Sequence, residues 1–148
     1  MYTIRKKFRI EYAHQLERAY SKCCSEQIHG HSGIIELFFS NLVLDFTGMV
    51  IDFGEVKKLI GKYIDSWDHM LIMPNSFPKQ YLNMLKKFNK NLKIVYYNPT
   101  AENMAKEIYD NVNHILKESG WSTNSLIRLT KVRFHETETG YAEYSPHG

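Results

Sequence analysis

The sequence predicts an α+β fold: strands, then helices, then strands again, with antiparallel hairpins. Three observations carry that prediction. Apolar residues alternate near the N-terminus and again from about residue 28, helical spacing follows Asp52 and Asn98-Pro99, and a Thr139-Gly140 turn separates two last alternating segments.

In order, Thr3 to Ala13 reads as a half-buried strand, because Ile4, Phe8, Ile10 and Tyr12 share one parity, with Lys6 the exception. His14 continues that apolar face. Residues 15–27 are polar, carry Cys23 and Cys24, and read as a loop. A second strand is expected from about Ile28 to Asp45, with His29, His31, Gly33, Ile35, Leu37 and Phe39 on one face. Thr47-Gly48 marks a turn, and Met49 to Phe53 is expected to return as a short strand. Asp52 and Glu55 then fit a capping box for a helix whose apolar stripe is Val56, Leu59, Ile60, Tyr63, Ile64 and Trp67. The stripe stops at Asp68-His69. Within residues 74–92, Tyr81, Leu82, Leu85 and Phe88 suggest a short helix, and Lys93 to Tyr97 a strand. Asn98-Pro99 is expected to open a second long helix, with proline at its first position and Gly120 as its stop. Strands over roughly 125–136 and 141–144 complete the chain.

Composition narrows the classes. At 148 residues, with 43% hydrophobic and 24% charged, the chain suits one globular domain spanning 1–148 and excludes a largely disordered one. The net charge of +3 is too weak to indicate nucleic acid, and only Lys86, Lys87 and Lys90 are grouped. A small anionic ligand suits that charge equally well. No apolar run approaches the roughly 20 residues of a membrane helix, and no apolar region follows Arg5, Lys6 and Lys7 as in a signal peptide. Adjacent cysteines strain a disulfide, so a reduced, cytoplasmic location is expected.

His29-Gly30-His31 is the sharpest local signal. On a strand, alternate residues point the same way with Cα atoms about 6.6 Å apart, so two imidazoles can reach one metal. His14 has the parity to be a third ligand, and three histidines with an open fourth position suit catalytic zinc. The same spacing also describes two ordinary strand histidines and one loop histidine. Asp68-His69 can be an acid/base pair, the carboxylate orienting the imidazole, or a solvated helix end where a cationic histidine suits the dipole. Lys22 beside Cys23 and Cys24 favours a reactive thiol, although two unreactive small residues fit the loop too. Glu136 shares parity with Val132 and Phe134 and needs a partner if buried. That partner is the adjacent N–H donors of an amino-pyrimidinone ring, or Arg133, Arg128 or a lysine. His114 and His147 read as surface residues.

Together these motifs resemble the 6-pyruvoyl-tetrahydropterin synthase / 6-carboxy-tetrahydropterin synthase family from Phe8 to Thr137. Phe8-Arg9-Ile10-Glu11-Tyr12-Ala13-His14 resembles its first strand, and Lys22-Cys23 with His29-Gly30-His31-Ser32 its cysteine loop and remaining zinc ligands. Gly48 to Phe53 resembles its hairpin return, Trp67 to Ile72 its Asp-His pair, Asn98 to Asn103 its second-helix opening, and His135-Glu136-Thr137 its pterin anchor. The resemblance implies a tunnelling fold: a four-stranded antiparallel sheet with helices on one face, closed by three subunits into a barrel and stacked as a homohexamer of two trimers. Active sites would then lie between subunits.

The resemblance also implies Zn2+ at His14, His29 and His31, and 7,8-dihydroneopterin triphosphate as substrate. Cys23, Asp68 and His69 would be catalytic, and Thr100, Glu102 and Glu136 would hold substrate. The implied product is 6-carboxy-tetrahydropterin, as in the enzymes of queuosine synthesis. Those enzymes usually have three residues between cysteine and His-Gly-His, whereas four follow Cys24 here and five follow Cys23. Five resembles the 6-pyruvoyl type. Glu26, two intervening residues before His29, resembles the base of a subgroup forming 6-hydroxymethyl-dihydropterin for folate. Cys24 is the alternative to Cys23, and Glu26 the alternative base. A non-catalytic zinc-stabilised oligomer would need the histidines but not Cys23, Asp68 or His69.

Overall fold

The computed structural model describes residues 1–121 and 126–146. Its frame is a long antiparallel pair, β1 (Tyr2–His14) and β2 (His29–Asn41), in register along their whole length from Tyr2↔Asn41 to His14↔His29. β5 (Arg128–His135) pairs antiparallel with β2, and β6 (Tyr141–Tyr144) with β5. This much follows the alternation read from the sequence. Position 125, where the fifth strand was expected to begin, and His147 lie outside the described residues.

The four-stranded, wholly antiparallel expectation is corrected. β3 (Met70–Pro74) runs parallel to β1 over Tyr12–His14, and β4 (Leu92–Val95) runs parallel to β3. The result is a mixed six-stranded sheet ordered β4-β3-β1-β2-β5-β6. Parallel neighbours need a crossover, and α3 (Lys79–Phe88) supplies it between β3 and β4. β3 hides from pattern reading because it is covered on both faces, which gives an unbroken apolar run. Ile72 enters the main core, while Met73 packs with Leu82 and Leu85 of α3. Helices therefore do not sit on one face alone.

The main core lies between the sheet face bearing Ile10, Ile35, Leu37, Val132 and Phe134 and two helices, α2 (Phe53–Asp65) and α4 (Ala101–Glu118). Asp52 caps α2, accepting from the Gly54 N–H at 2.6 Å, while Glu55 pairs with Lys58 instead of completing a capping box. Met49 to Phe53 is not a strand. The Asp45 carboxylate accepts from the Thr47 and Met49 N–H groups, Gly48 takes φ 82°, and these local bonds replace a ladder. β2 accordingly ends at Asn41, not Asp45. α4 opens two residues later than expected. Thr100 is its N-cap, accepting from the Asn103 N–H, because Asn98 is engaged elsewhere: its side chain bonds Glu17 N–H and the Arg18 carbonyl. Gly120, at φ 77°, follows the helix as its stop. The 15–27 segment is not wholly loop: both cysteines lie in a single helical turn, α1 (Lys22–Ser25).

The opposite sheet face is charged. Glu36, only 1% exposed, sits among Arg5, Lys7, Arg133 and His135 at 2.9–3.4 Å. No helix among the described residues is long and apolar enough to cross a membrane.

Candidate metal centre and binding cavity

The register brings the three histidines together. His14 lies directly opposite His29, and Tyr12 opposite His31, so all three imidazoles leave the same end of the β1–β2 ribbon on one face. One ring nitrogen from each lies within 4.8 Å of the others. His14 is 1% exposed. Its Nδ1–H donates to the Pro99 carbonyl at 2.9 Å, since a carbonyl can only accept. His29 Nδ1–H donates likewise to Gln27 O at 3.3 Å. Both rings therefore present bare Nε2 lone pairs, which face each other across 2.9 Å. His31 Nε2 is buried with no hydrogen-bond partner. Two lone pairs at 2.9 Å repel unless a cation lies between them, and with the unpartnered His31 nitrogen beside them the donor set fits a metal that takes neutral imidazoles. Burial pushes His14 down to about 4, with His29 and His31 adding to that shift against the Pro99 bond, and burial next to His29 lowers His31 too. Both are held in the neutral, metal-binding form.

Glu136 joins this cluster. β5 ends at His135, but the alternation persists, and the Glu136 carboxylate stands 3.6 Å from His14 Nε2. The expected alternative partner, Arg133, is taken by Glu143 and Glu36. Burial and the nearby Glu102 raise the Glu136 carboxyl, partly offset by His29 and Tyr12. With Thr100, Glu102, Thr137 and Leu16, Glu136 lines a cavity of about 310 Å3. That size suits a bicyclic ring.

Asp68 and His69 lie just beyond the helix end, and the His69 side chain is solvent-exposed, at 72%. α2 stops at Asp65, and the pair docks on β1: Asp68 Oδ1 accepts from Glu11 N–H at 2.7 Å, and His69 N–H donates to Glu11 O at 2.6 Å. His69 is held at φ 57°, a costly conformation for a non-glycine residue, with its ring 3.5 Å from Asp68 Oδ2. It lines a second, larger cavity of about 650 Å3 with Tyr12, His31, Glu11 and Ser32. Within one protomer Thr100, Glu102 and Glu136 thus line one cavity and His31 and His69 the other, while His14, His29, Asp68 and the Cys23 turn line neither. Cys23 and Glu26 are exposed and Cys24 half-buried; their turn is pinned beside His14 by Leu16 N–H to Cys24 O at 2.9 Å and by the Gln15 amide to Ser25 O. Hydrogen bonding from Ser21, then Cys24, holds the Cys23 thiol below its ordinary range. His114 is exposed, as expected.

Sequence reasoning missed Tyr12 as a site residue. It is 4% exposed and packs against His14, His31 and Phe134 with ring centroids 5.3–5.5 Å apart. Its hydroxyl completes no hydrogen bond, yet stands close enough to Glu136 that the carboxylate adds to burial in pushing the phenol up. In the sequence Tyr12 is one more aromatic on an apolar face, and only the crowding reveals it.

A family model described as 6-pyruvoyl tetrahydropterin synthase matches residues 3–147. The 6-carboxy-5,6,7,8-tetrahydropterin synthase of Helicobacter pylori strain J99 is 30% identical over 95% of this chain and 70% of its own length. The enzyme of that name from Aquifex aeolicus is 31% identical over 95% and 96%. The solved Caenorhabditis elegans 6-pyruvoyl tetrahydropterin synthase superposes with a TM-score of 0.68 at 22% identity, over 97% and 94% of the two chains, a likeness of fold.

Proposed function

Since the chain belongs to the 6-pyruvoyl tetrahydropterin synthase family of pterin-forming lyases, we propose that it converts 7,8-dihydroneopterin triphosphate to 6-carboxy-5,6,7,8-tetrahydropterin with Zn2+ held by His14, His29 and His31. The observation that carries this reading is the convergence of three imidazoles, one ring nitrogen of each within 4.8 Å of the others, beside a Glu136 carboxylate that itself lines a cavity of about 310 Å3.

In this reading Glu136 binds the amino-pyrimidinone edge, its two oxygens accepting from adjacent ring N–H groups. Thr100 and Glu102 flank the ring. Bound zinc supplies Lewis acidity to the substrate's side-chain oxygens. Cys23, whose thiolate is favoured by Ser21, moves a carbon-bound proton at Sγ. Asp68 orients His69, which relays a second proton at a ring nitrogen. Triphosphate leaves by elimination. The bond to the retained side-chain carbon then breaks, with water supplying the second carboxyl oxygen and the outer two carbons leaving as acetaldehyde. The ring is reduced at the expense of the side chain, so no external redox cofactor enters. Free Cys23 and Cys24 support a reducing, cytoplasmic setting.

The division of His69 and Glu136 between two cavities supports composite sites at subunit contacts. So does β1, whose outer edge β3 covers only over Tyr12–His14, leaving a row of strand positions for a neighbouring sheet. A hexamer of two closed trimers satisfies both.

A second reading rests on the loop. Five residues between Cys23 and His29 suit a 6-pyruvoyl product, and exposed Glu26 on the same loop suits a 6-hydroxymethyl one. Cys23→Ala and Glu26→Ala separate these routes by which product each removes. Ligand titration tests the site itself: zinc-loaded protein should bind the triphosphate substrate, and Glu136→Ala should weaken binding at least about tenfold, as loss of a charge-assisted pair does, with zinc retained. Unchanged affinity would remove Glu136 from the site.

A further inference from the structure

The two cysteines are already arranged for chemistry on each other. Cys23 Sγ and Cys24 Sγ lie 3.7 Å apart in the exposed turn α1, and the Ser21 hydroxyl reaches both, at 3.1 and 3.0 Å. Cys23 is the more accessible thiol, and its pKa is lowered by those same neighbours. An exposed, thiolate-prone cysteine is the group a hydroperoxide attacks first, and its fate depends on whether a second thiol stands within reach.

We propose that Cys24 is the resolving thiol for Cys23, making this turn a reversible peroxide-sensitive switch. The Cys23 thiolate attacks one peroxide oxygen: an S–O bond forms, the O–O bond breaks, and the departing hydroxide takes up a proton as water. Cys24 then attacks the Cys23 sulfenic sulfur: an S–S bond forms, the S–O bond breaks, and a second water leaves. The two thiols together lose two electrons and two protons, and hydrogen peroxide is reduced to water. The intramolecular step outruns further oxidation because the second sulfur needs no diffusion to arrive.

Reversibility follows from geometry. Neighbouring Cα atoms lie about 3.8 Å apart, shorter than the usual disulfide range of about 4.4–6.8 Å, so the bond is strained. Strained disulfides are the more easily reduced. The turn is tied by Leu16 N–H to the Cys24 carbonyl, two residues from His14, so a strained bond there also bears on the metal-ligand end of β1. If Cys23 is the catalytic base, as the proposed function has it, oxidation silences the enzyme and a thiol reductant restores it. The thiol chemistry itself does not depend on that reading.

The test is intact-mass analysis of the full zinc-loaded chain after a several-fold molar excess of hydrogen peroxide, with free thiols counted. Wild type should lose two hydrogens and both thiols within one chain, and dithiothreitol should restore them fully. Cys24→Ser should instead gain two or three oxygens at Cys23, irreversibly, and the fraction rescued by dithiothreitol should fall at least about tenfold. Both side chains lie outside the core, and circular dichroism checks that the variant folds. Oxygen gain in wild type equal to that in Cys24→Ser, disulfides formed only between chains, or thiols inert to peroxide would each overturn the proposal. Intact switching chemistry with unchanged activity would leave it standing and remove Cys23 from the catalytic mechanism.

Discussion

Gly33→Ala tests how tightly the histidine end of the sheet is packed. Gly33 has no side chain because there is no room for one. A Cβ there would meet Tyr12 Cε1 at 2.9 Å, the His135 carbonyl oxygen at 3.2 Å and Ile10 Cγ1 at 3.4 Å. Carbon contacts are optimal near 3.5–4.0 Å, so the nearest neighbours must give way. The carbonyl belongs to β5, which is paired opposite Ile34. The Tyr12 ring is wedged between His14, His31 and Phe134. Overpacking of this kind costs about 1–3 kcal/mol, and the restricted unfolded chain of alanine returns about 0.4–1 kcal/mol. The net expectation is a loss of about 1–2 kcal/mol in urea unfolding with an unchanged slope. In a Tyr12→Ala background the nearest clash is gone, so the cost should shrink, with a coupling of about 1 kcal/mol. Gly33→Ala as stable as wild type would refute the packing account and show that Tyr12 moves freely.

Other outcomes follow from the same geometry. His31→Ala should weaken zinc binding by at least about a hundredfold, since even outer-shell losses cost roughly 10–100-fold; metal analysis showing full occupancy would contradict the ligand set. Tyr12→Phe deletes a buried hydroxyl that lacks a partner, so stability should hold or rise by roughly 0.5–1 kcal/mol. KM, kcat and zinc content should stay within about twofold of wild type, since the hydroxyl has no hydrogen bond to lose; a KM rise at constant kcat would show instead that it steadies Glu136. Glu36→Gln should cost about 2 kcal/mol, below the 3–5 kcal/mol of a fully buried pair because Arg5 and Lys7 are half-exposed. Burial raises Glu36, but His135, Arg5 and Lys7 outweigh it and leave its carboxyl below the ordinary 4.5. The unfolded chain therefore takes up the proton first: the deficit of Glu36→Gln should be full above pH 4.5 and fade as pH falls through the folded value. A deficit constant with pH would deny Glu36 that role.

Parity in the sequence was enough to set His14, His29 and His31 on one face, and the observed register meets it residue for residue. The apolar stripes of α2 and α4 were equally legible, because each helix buries one side only. β3 was not, since burial on both faces erases the alternation that betrays a strand. The start of α4 was misread because Asn98 and Thr100 are both good caps, and the choice between them is made by contacts of Asn98 with Glu17 and Arg18, some 80 residues away. Glu36 gave no sign of its burial. It alternates outward like any surface carboxylate, and only the cations converging from β1 and β5 explain why it stays. Tyr12 and the docking of Asp68-His69 onto Glu11 are likewise products of tertiary packing.

Pterin synthesis at a zinc centre is decided by incubating purified, zinc-loaded protein with 7,8-dihydroneopterin triphosphate and identifying the pterin by mass. The expected result is release of inorganic triphosphate and acetaldehyde with 6-carboxy-5,6,7,8-tetrahydropterin, abolished by chelation and by His31→Ala. Unchanged substrate with zinc bound at His14, His29 and His31 would contradict the claim and leave a zinc-stabilised scaffold without the chemistry.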